Sequence, residues 1–336
     1  VSGGIRNLTD LVTGNVLISD DGHRPLLEMQ VEKPHWMSAW NVAHAMPGAA
    51  QQVTALWHKV EGPYMTVVEV VAKCGSSQFT IQYTLDCVSP VLRISLNIDW
   101  MEKGSIETGI PALRMALPLN LKQARLATEI PFGFCGRELN HDEEVPALRS
   151  LYVLDAAGER PAGIMLANDC KYGYALEGNT LRASLLRSPF DPDRFPELGE
   201  HQCSFALAPA PADAVESRTA ELGRSFNHPL KVIATDCHRG EVPNTGSFLS
   251  CSSTDVIFSA IKKAEDGDGI IIRFYTTTEI TAPITITFSS VFGALAEARK
   301  VNLMEEAAGE ECVKLEGNVL QLPPLSKGIY SFRIRG

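Results

Sequence analysis

The chain has 336 residues, 45% hydrophobic and 21% charged, with a formal charge of −10. That length holds two domains, or one large sandwich with an appendage, and a core of this size needs no disulfide or metal staple. The negative balance argues against nucleic acid and anionic membrane surfaces, which reward clustered Lys and Arg, and no apolar run approaches the roughly 18–20 residues that span a bilayer.

No signal peptide is visible, and the first residue is Val1 rather than methionine, so either an N-terminal piece has been removed or, the favoured reading, the chain is cut from something longer. Residues 5–8 and 16–19 flank Thr13-Gly14-Asn15, a tight-turn signal. Runs at 64–73, 78–86, 91–100 and 113–120 follow, each rich in Val, Ile, Thr and aromatics and separated by Gly-Ser or Ser-Pro punctuation. Phe79, Ile81, Tyr83 and Leu85 alternate with Thr80, Gln82, Thr84 and Asp86, which predicts a strand with one buried and one wet face. Spacing of this kind is that of an antiparallel meander, not of a βαβ fold.

At 209–246 the character changes. Asp213 and Glu216 suggest a helix cap, Val215, Thr219, Leu222 and Phe226 follow at helical spacing, and His228-Pro229 ends the run. Strands resume at 256–262 and 270–275 around the glycine-bearing turn 265–269, then at 284–288 and 329–334, with a further strand expected within 294–306. The fold class is therefore all-β: a large antiparallel sandwich over 1–210, a linker with a short helix over 211–246, and a smaller β-sandwich over 247–336.

Chemistry-bearing patterns are sparse. The cysteines at 74, 87, 135, 170, 203, 237, 251 and 312 form no CxxC pair, so free thiols and a reducing, cytoplasmic compartment are expected. His35, His44 and His58 lack metal-ligand spacing, and the dense polar cluster His141-Asp142-Glu143-Glu144 reads as a solvated loop. The Asp-x-Asp-Gly run at 266–269 lacks the other ligands of a calcium loop. Neither a Gly-x-Ser-x-Gly elbow nor a phosphate-cradling glycine loop occurs. Trp36, Trp40, Trp57 and Trp100 could line a sugar platform, although core packing is the commoner fate of tryptophan in strands. One segment stands apart, the polar, proline-rich 187–201, which joins strands predicted at 181–186 and 202–207.

That segment carries a resemblance. Asn168-Asp-Cys-Lys-Tyr-Gly-Tyr174, Asn179-Thr-Leu181, Leu185-Leu-Arg-Ser-Pro189, Leu198-Gly-Glu-His201 and Phe205-Ala-Leu-Ala-Pro209 resemble the C-terminal β region of retaining α-mannosidases, glycoside hydrolase family 38. Leu8-Thr-Asp-Leu-Val-Thr-Gly14, Ile130-Pro-Phe-Gly133 with Arg137, Glu144-Val-Pro146, the run 259–275 and Asn302-Leu-Met-Glu-Glu306 resemble it in the same order. Ser150, Ala210 and Thr276 depart from the usual residues and mark a divergent member.

The resemblance implies a supersandwich of the galactose mutarotase type followed by a smaller β domain. It also implies that the nucleophile, the acid/base carboxylate and a zinc ion belong to an N-terminal catalytic domain, so neither a catalytic residue nor a cofactor is expected in this chain. The implied partners are that domain and an α-mannoside, and a homo-oligomer is compatible with the sequence. Arg187, with Asp191, Asp193, Glu200 and His201, is implied at the edge of the substrate cleft. Two alternatives stand beside this reading: a free-standing sugar-binding module and a mutarotase-like epimerase.

Overall fold

The computed structural model describes residues 2–138, 143–157, 162–194, 196–211, 213–240 and 244–336, without the side chains of 310–312. The chain forms two compact units: everything up to Glu129 together with Cys135–His228, and Ile130–Phe134 together with Pro229–Gly336.

Two antiparallel sheets share the core of the first unit. The nine-stranded sheet runs, in spatial order, Gly133–Arg137, Ala124–Ile130, Ser150–Asp155, Gly163–Asn168, Gly199–Pro209, Leu92–Trp100, Ser77–Asp86, Met65–Cys74 and Gln52–Glu61. The six-stranded sheet runs Val145–Pro146, Gly173–Glu177, Thr180–Arg187, Ile110–Pro118, Leu27–Glu32 and Ala45–Pro47. Period-two alternation sends Phe79, Ile81, Ile94, Leu96 and Phe205 inward from the first sheet and Leu113, Met115, Leu117 and Leu181 inward from the second. The alternation weakens towards the end of Ser77–Asp86, where Leu85 is exposed instead of buried. The edge strand Gln52–Glu61 is exposed along most of its length and carries two bulges, which blunt it against pairing with other chains.

The strand Gly163–Asn168 is buried at every position, because the helix Val215–Asn227 covers the side that alternation would otherwise leave wet. Small residues permit the approach. A Cβ on Gly223 would stand 2.9 Å from Ser150 Oγ, so the serine at this departure from the family pattern makes room for the helix. The amide nitrogen Nδ2 of Asn227 donates to the Asn168 carbonyl at 2.9 Å and locks the far end. The expected cap is absent. Ala214, in a left-handed conformation at φ 51°, precedes the helix, and no side chain caps it. Glu216 instead hydrogen-bonds Tyr152, whose hydroxyl is pushed up to about 12 by burial and by that carboxylate.

In the second unit a four-stranded sheet (Leu249–Cys251, Ile284–Phe288, Val319–Leu322, Leu315–Glu316) shares a core with a five-stranded one. The latter runs Val256–Lys263, Ile270–Thr276, Ile329–Arg335, Glu297–Val301 and Ala307–Cys312. Phe274 lies at its centre, stacked on Phe332 and Tyr330 at 5.9 and 5.5 Å. The turn at 265–269 takes positive φ at Gly267 and Gly269, where glycine pays no steric penalty.

Residues 229–240 carry neither strand nor helix and are exposed throughout. Limited proteolysis is expected to cut first there, trypsin at Lys231 or Arg239. Mass spectrometry of the earliest fragments checks this. A first cut inside Leu92–Trp100 or inside the helix would contradict it.

Candidate functional site

The candidate segment begins where the Thr180–Arg187 strand ends. In the six-stranded sheet that strand pairs with Ile110–Pro118, which pairs in turn with Leu27–Glu32. The register sets both Gln30 and Arg187 opposite Ala112, so the ends of the two outer strands arrive at the same level with a small residue between them. The Glu32 side chain, only 1% exposed, spans that gap to Arg187. Arg187 Nε donates to Glu32 Oε1 at 2.5 Å and Nη2 to Oε2 at 2.9 Å, a bidentate fork. Its remaining donors reach the carbonyls of Ser38 (2.5 Å, from Nη1) and Asn41 (2.7 Å, from Nη2). Desolvation pushes the Glu32 carboxyl up. The hydrogen bond from Arg187, the Ala43 amide at 2.8 Å, the Arg187 charge and the His35 contact together outweigh it and hold the carboxyl below its usual range.

A second clasp lies beside the first. Ser38 is buried, and its Oγ accepts from the amides of Phe190 and Asp191, both at 3.1 Å. The Asp191 carboxylate accepts from the Met37 amide at 2.7 Å, and its carbonyl from the Ala39 amide at 2.9 Å. The loop at 33–44 is thus pinned to the start of the 187–201 segment by backbone groups on both sides. What it holds up is apolar: Trp36 and Trp40 are 71% and 69% exposed, with Met37 and Val42 beside them.

Three of the four tryptophans therefore depart from the core expectation. Trp57 is exposed on the edge strand, and only Trp100 is buried, donating from Nε1 to Ser188 Oγ at 2.7 Å. Strand position decided this: Trp100 falls on the inward phase of a central strand, whereas Trp36 and Trp40 lie in a loop. Trp36 meets Phe190 edge-on, with ring centroids 6.3 Å apart. These rings border a recess of about 460 Å³ that Lys103, Ile106, Asp191 and Arg194 also line.

The structure brings together Arg187 and Asp191 through the 33–44 loop, and separates them from the rest. Asp193 is exposed further along the loop. Glu200 and His201 belong to the Gly199–Pro209 strand, not to the loop. They occupy successive strand positions and face opposite sides: Glu200 is exposed opposite Asp99, while His201 Nε2 donates to the Glu197 carbonyl at 2.6 Å. Glu32, Ser38 and Asn41, which do the holding, had no motif to announce them. The placement of two tryptophans in a short loop of mixed polarity was the signal available.

His141 and Asp142 lie outside the described residues, while Glu144 pairs with Arg114 at 2.8 Å. Among the described residues no three of His, Cys, Asp and Glu converge as a metal ion would require. Seven cysteines are free, and the side chain of Cys312 lies outside the described residues. Burial pushes the Cys74 and Cys170 thiols up to about 11 and Cys203 up to about 12, the opposite of an activated nucleophile. No helix among the described residues is long and apolar enough to cross a membrane.

Comparisons with known proteins bear on this arrangement. Residues 2–195 match the family profile of the glycosyl hydrolases family 38 C-terminal domain, and residues 255–330 that of the family 38 C-terminal beta sandwich domain. The chain is 29% identical to alpha-mannosidase 2C1 of Mus musculus over 198 residues, 56% of this chain and 18% of that protein. It is 28% identical to alpha-mannosidase G of Dictyostelium discoideum over 210 residues, 58% of this chain and 18% of that protein. The chain thus spans less than a fifth of the length of these curated relatives. Among solved structures, an alpha-mannosidase from Enterococcus faecalis V583 superposes with a TM-score of 0.71 at 14% identity, covering 97% of this chain and 40% of that one. A glycosyl hydrolase family 38 protein from Enterococcus faecalis gives 0.72 at 13%, covering 97% and 41%.

Removing the arginine of this buried ion pair leaves the Glu32 carboxylate with only the Ala43 amide and the His35 ring beside it. Arg187→Ala should therefore lower unfolding free energy at pH 7 by about 3 kcal/mol, measured by urea denaturation. Because the Glu32 carboxyl sits below its usual range, its contribution is present above the unfolded value of about 4.3 and is lost as pH falls through the folded value. The deficit should accordingly shrink on acidification. A pH-independent deficit below about 0.5 kcal/mol would show that the pair is a solvated surface contact.

Proposed function

The chain belongs to glycosyl hydrolase family 38, and from that premise we propose that it is the non-catalytic C-terminal part of a retaining α-mannosidase. In this role it supports its own N-terminal catalytic domain and edges the cleft in which α-mannosides are hydrolysed. One observation carries the reading: the 33–44 loop holds Trp36, Met37, Trp40 and Val42 in solvent by means of a buried ion pair and a buried serine. An exposed apolar ridge on a pinned backbone is a docking feature, since little backbone conformational entropy is lost when it is covered.

Hydrolysis with retention needs two carboxylates about 5–5.5 Å apart, one as nucleophile and one as acid then base. Under this proposal both reside in the catalytic domain, with zinc there to orient sugar hydroxyls. The residues of this chain act by placement. Arg187, turned inward to Glu32, fixes the loop; Asp191 and Ser38 hold the adjoining backbone; and the tryptophans exclude water at the rim. Asp193 and Glu200, both exposed, would then lie at the cleft edge without touching the reacting bond, whereas His201 faces the other side of its strand. Free thiols support a reducing compartment, and we place the protein in the cytoplasm. The epimerase alternative needs an acid and a base in one groove, and the opposite facing of Glu200 and His201 speaks against it.

Two assays test the proposal. This chain alone should leave aryl α-mannosides intact, with or without added zinc. In the protein joined to its catalytic domain, Trp40→Ala should lower kcat/KM about tenfold while leaving the melting temperature of this chain unchanged, because the ring is exposed here. Zinc-dependent turnover by the chain alone, or wild-type kinetics in the variant, would contradict the reading.

A further inference from the structure

We propose that Cys170 and Cys203 are a modification site, a thiol pair that closes to an intramolecular disulfide when the protein meets a low-molecular-weight disulfide such as glutathione disulfide. The strand register brings the two together. Gly163–Asn168 pairs with Gly199–Pro209 so that Asn168 stands opposite Phe205. The Asp169 amide donates to the Ser204 carbonyl at 3.2 Å, which extends the ladder by one rung, and the next rung sets Cys170 against Cys203. Because Asp169 and Ser204 share a hydrogen bond, the rungs on either side are of the non-hydrogen-bonded kind. In such rungs opposed Cα atoms approach to about 4.5 Å. That lies inside the roughly 4.4–6.8 Å that a disulfide requires.

The side chains agree with the register. In a continued ladder the Lys171 amide would donate to the Gln202 carbonyl. It donates instead to Asn168 Oδ1 at 3.0 Å, and the Cys170 thiol takes the Gln202 carbonyl at 3.8 Å. The Cys170 sulfur thus lies against the peptide that joins Gln202 to Cys203. Burial is the main cause that pushes the Cys203 thiol up to about 12, and the nearby Cys170 adds to it. The bend that carries Cys170 is held without either thiol. The Tyr174 hydroxyl donates to the Lys171 carbonyl at 2.8 Å, and Asn227 Nδ2 to the Asn168 carbonyl at 2.9 Å. Two thiols held in this way react with each other at a high effective concentration, which favours their own disulfide over separate mixed ones.

Cys170 is exposed and Cys203 is buried, which orders the steps. The Cys170 thiolate attacks one sulfur of glutathione disulfide, and the first glutathione leaves as a thiolate. Cys203 then gives its proton to solvent, its thiolate attacks the Cys170 sulfur of the mixed disulfide, and the second glutathione leaves. Two protein thiols are oxidised and one glutathione disulfide is reduced to two thiols, with the protons lost by the protein taken up by the leaving groups. Both thiols are raised, to about 11 and about 12, so closure is slow near neutrality and answers sustained oxidation. The bond has a structural consequence. Cys203 belongs to the strand on which the 187–201 segment returns to the sheet, so the 33–44 loop clasps the start of that segment and the disulfide fastens its end.

Peptide mapping tests the pair. The chain is held with excess glutathione disulfide until oxidation is complete, alkylated under denaturing conditions and digested with trypsin, which cleaves at Lys171 and Arg194 between the two cysteines. Mass spectrometry should find the Cys170 and Cys203 peptides joined, with both thiols lost to alkylation, and dithiothreitol should separate them. Cys170→Ser, a substitution at an exposed position, should abolish the joined species and leave Cys203 a free thiol. A thermal melt of the variant confirms that it folds. Glutathione persisting on Cys170 without the link, a link from either cysteine to a different one, retention of both thiols, or loss of the Cys203 thiol in Cys170→Ser would overturn the proposal.

Discussion

At the end of the Leu27–Glu32 strand a carboxylate has lost its water, and the guanidinium of Arg187 makes that burial tolerable. Desolvating a carboxylate costs several kcal/mol, and the mutual attraction offsets it only when the geometry is good and the remaining lone pairs are met. Here the fork is bidentate, and the Ala43 amide takes a further lone pair on Oε2. The same arginine reaches out to the carbonyls of Ser38 and Asn41. The pair is thus less a source of net stability than a fixed point from which a loop is hung. Everything proposed about function follows from where that loop is held.

Rigidity and exposure usually exclude each other in loops, because an exposed segment has few partners to order it. The 33–44 loop escapes this by drawing its order from beneath. Its polar backbone groups turn towards Glu32, Arg187, Ser38 and Asp191, which frees the tryptophan side chains to face outward. Glu129 shows the same device elsewhere in the first unit. It is buried at 1% exposure and accepts from Ser150 Oγ at 2.8 Å and from Arg149 Nη2 at 2.5 Å, close to where the helix packs. In both places a buried carboxylate organises a connection that strand pairing alone would leave loose.

Much of the fold was legible because strands advertise themselves locally. Phe79 and Ile81 alternate with Gln78 and Thr80, Gly267 and Gly269 mark their hairpin, and Val215 to Phe226 keep helical spacing. What failed was governed by surroundings rather than pattern. Asp213 looks like a cap by type, but the chain enters the helix through Ala214 in a left-handed turn that leaves it no such role. Leu85 continues an alternation whose far end has nothing to pack against. Trp36 and Trp40 lie in a loop whose place is visible only once the sheet order is known. The site was harder still. Glu32 and Arg187 meet across an intervening strand from positions 155 residues apart, and no local periodicity encodes such a pairing. The ordered set of short motifs pointed to the family, which the match over residues 2–195 then established.

Amide hydrogen exchange at Met37, Ala39 and Ala43 tests the central claim most directly, since each donates into the clasp from an otherwise exposed loop. If the loop is pinned as described, these amides should exchange about 10³-fold or more slowly than free peptide, like those of the flanking strands. Exchange within about tenfold of the free rate would contradict the account, because the tryptophans would then ride on a mobile loop with no fixed surface to offer.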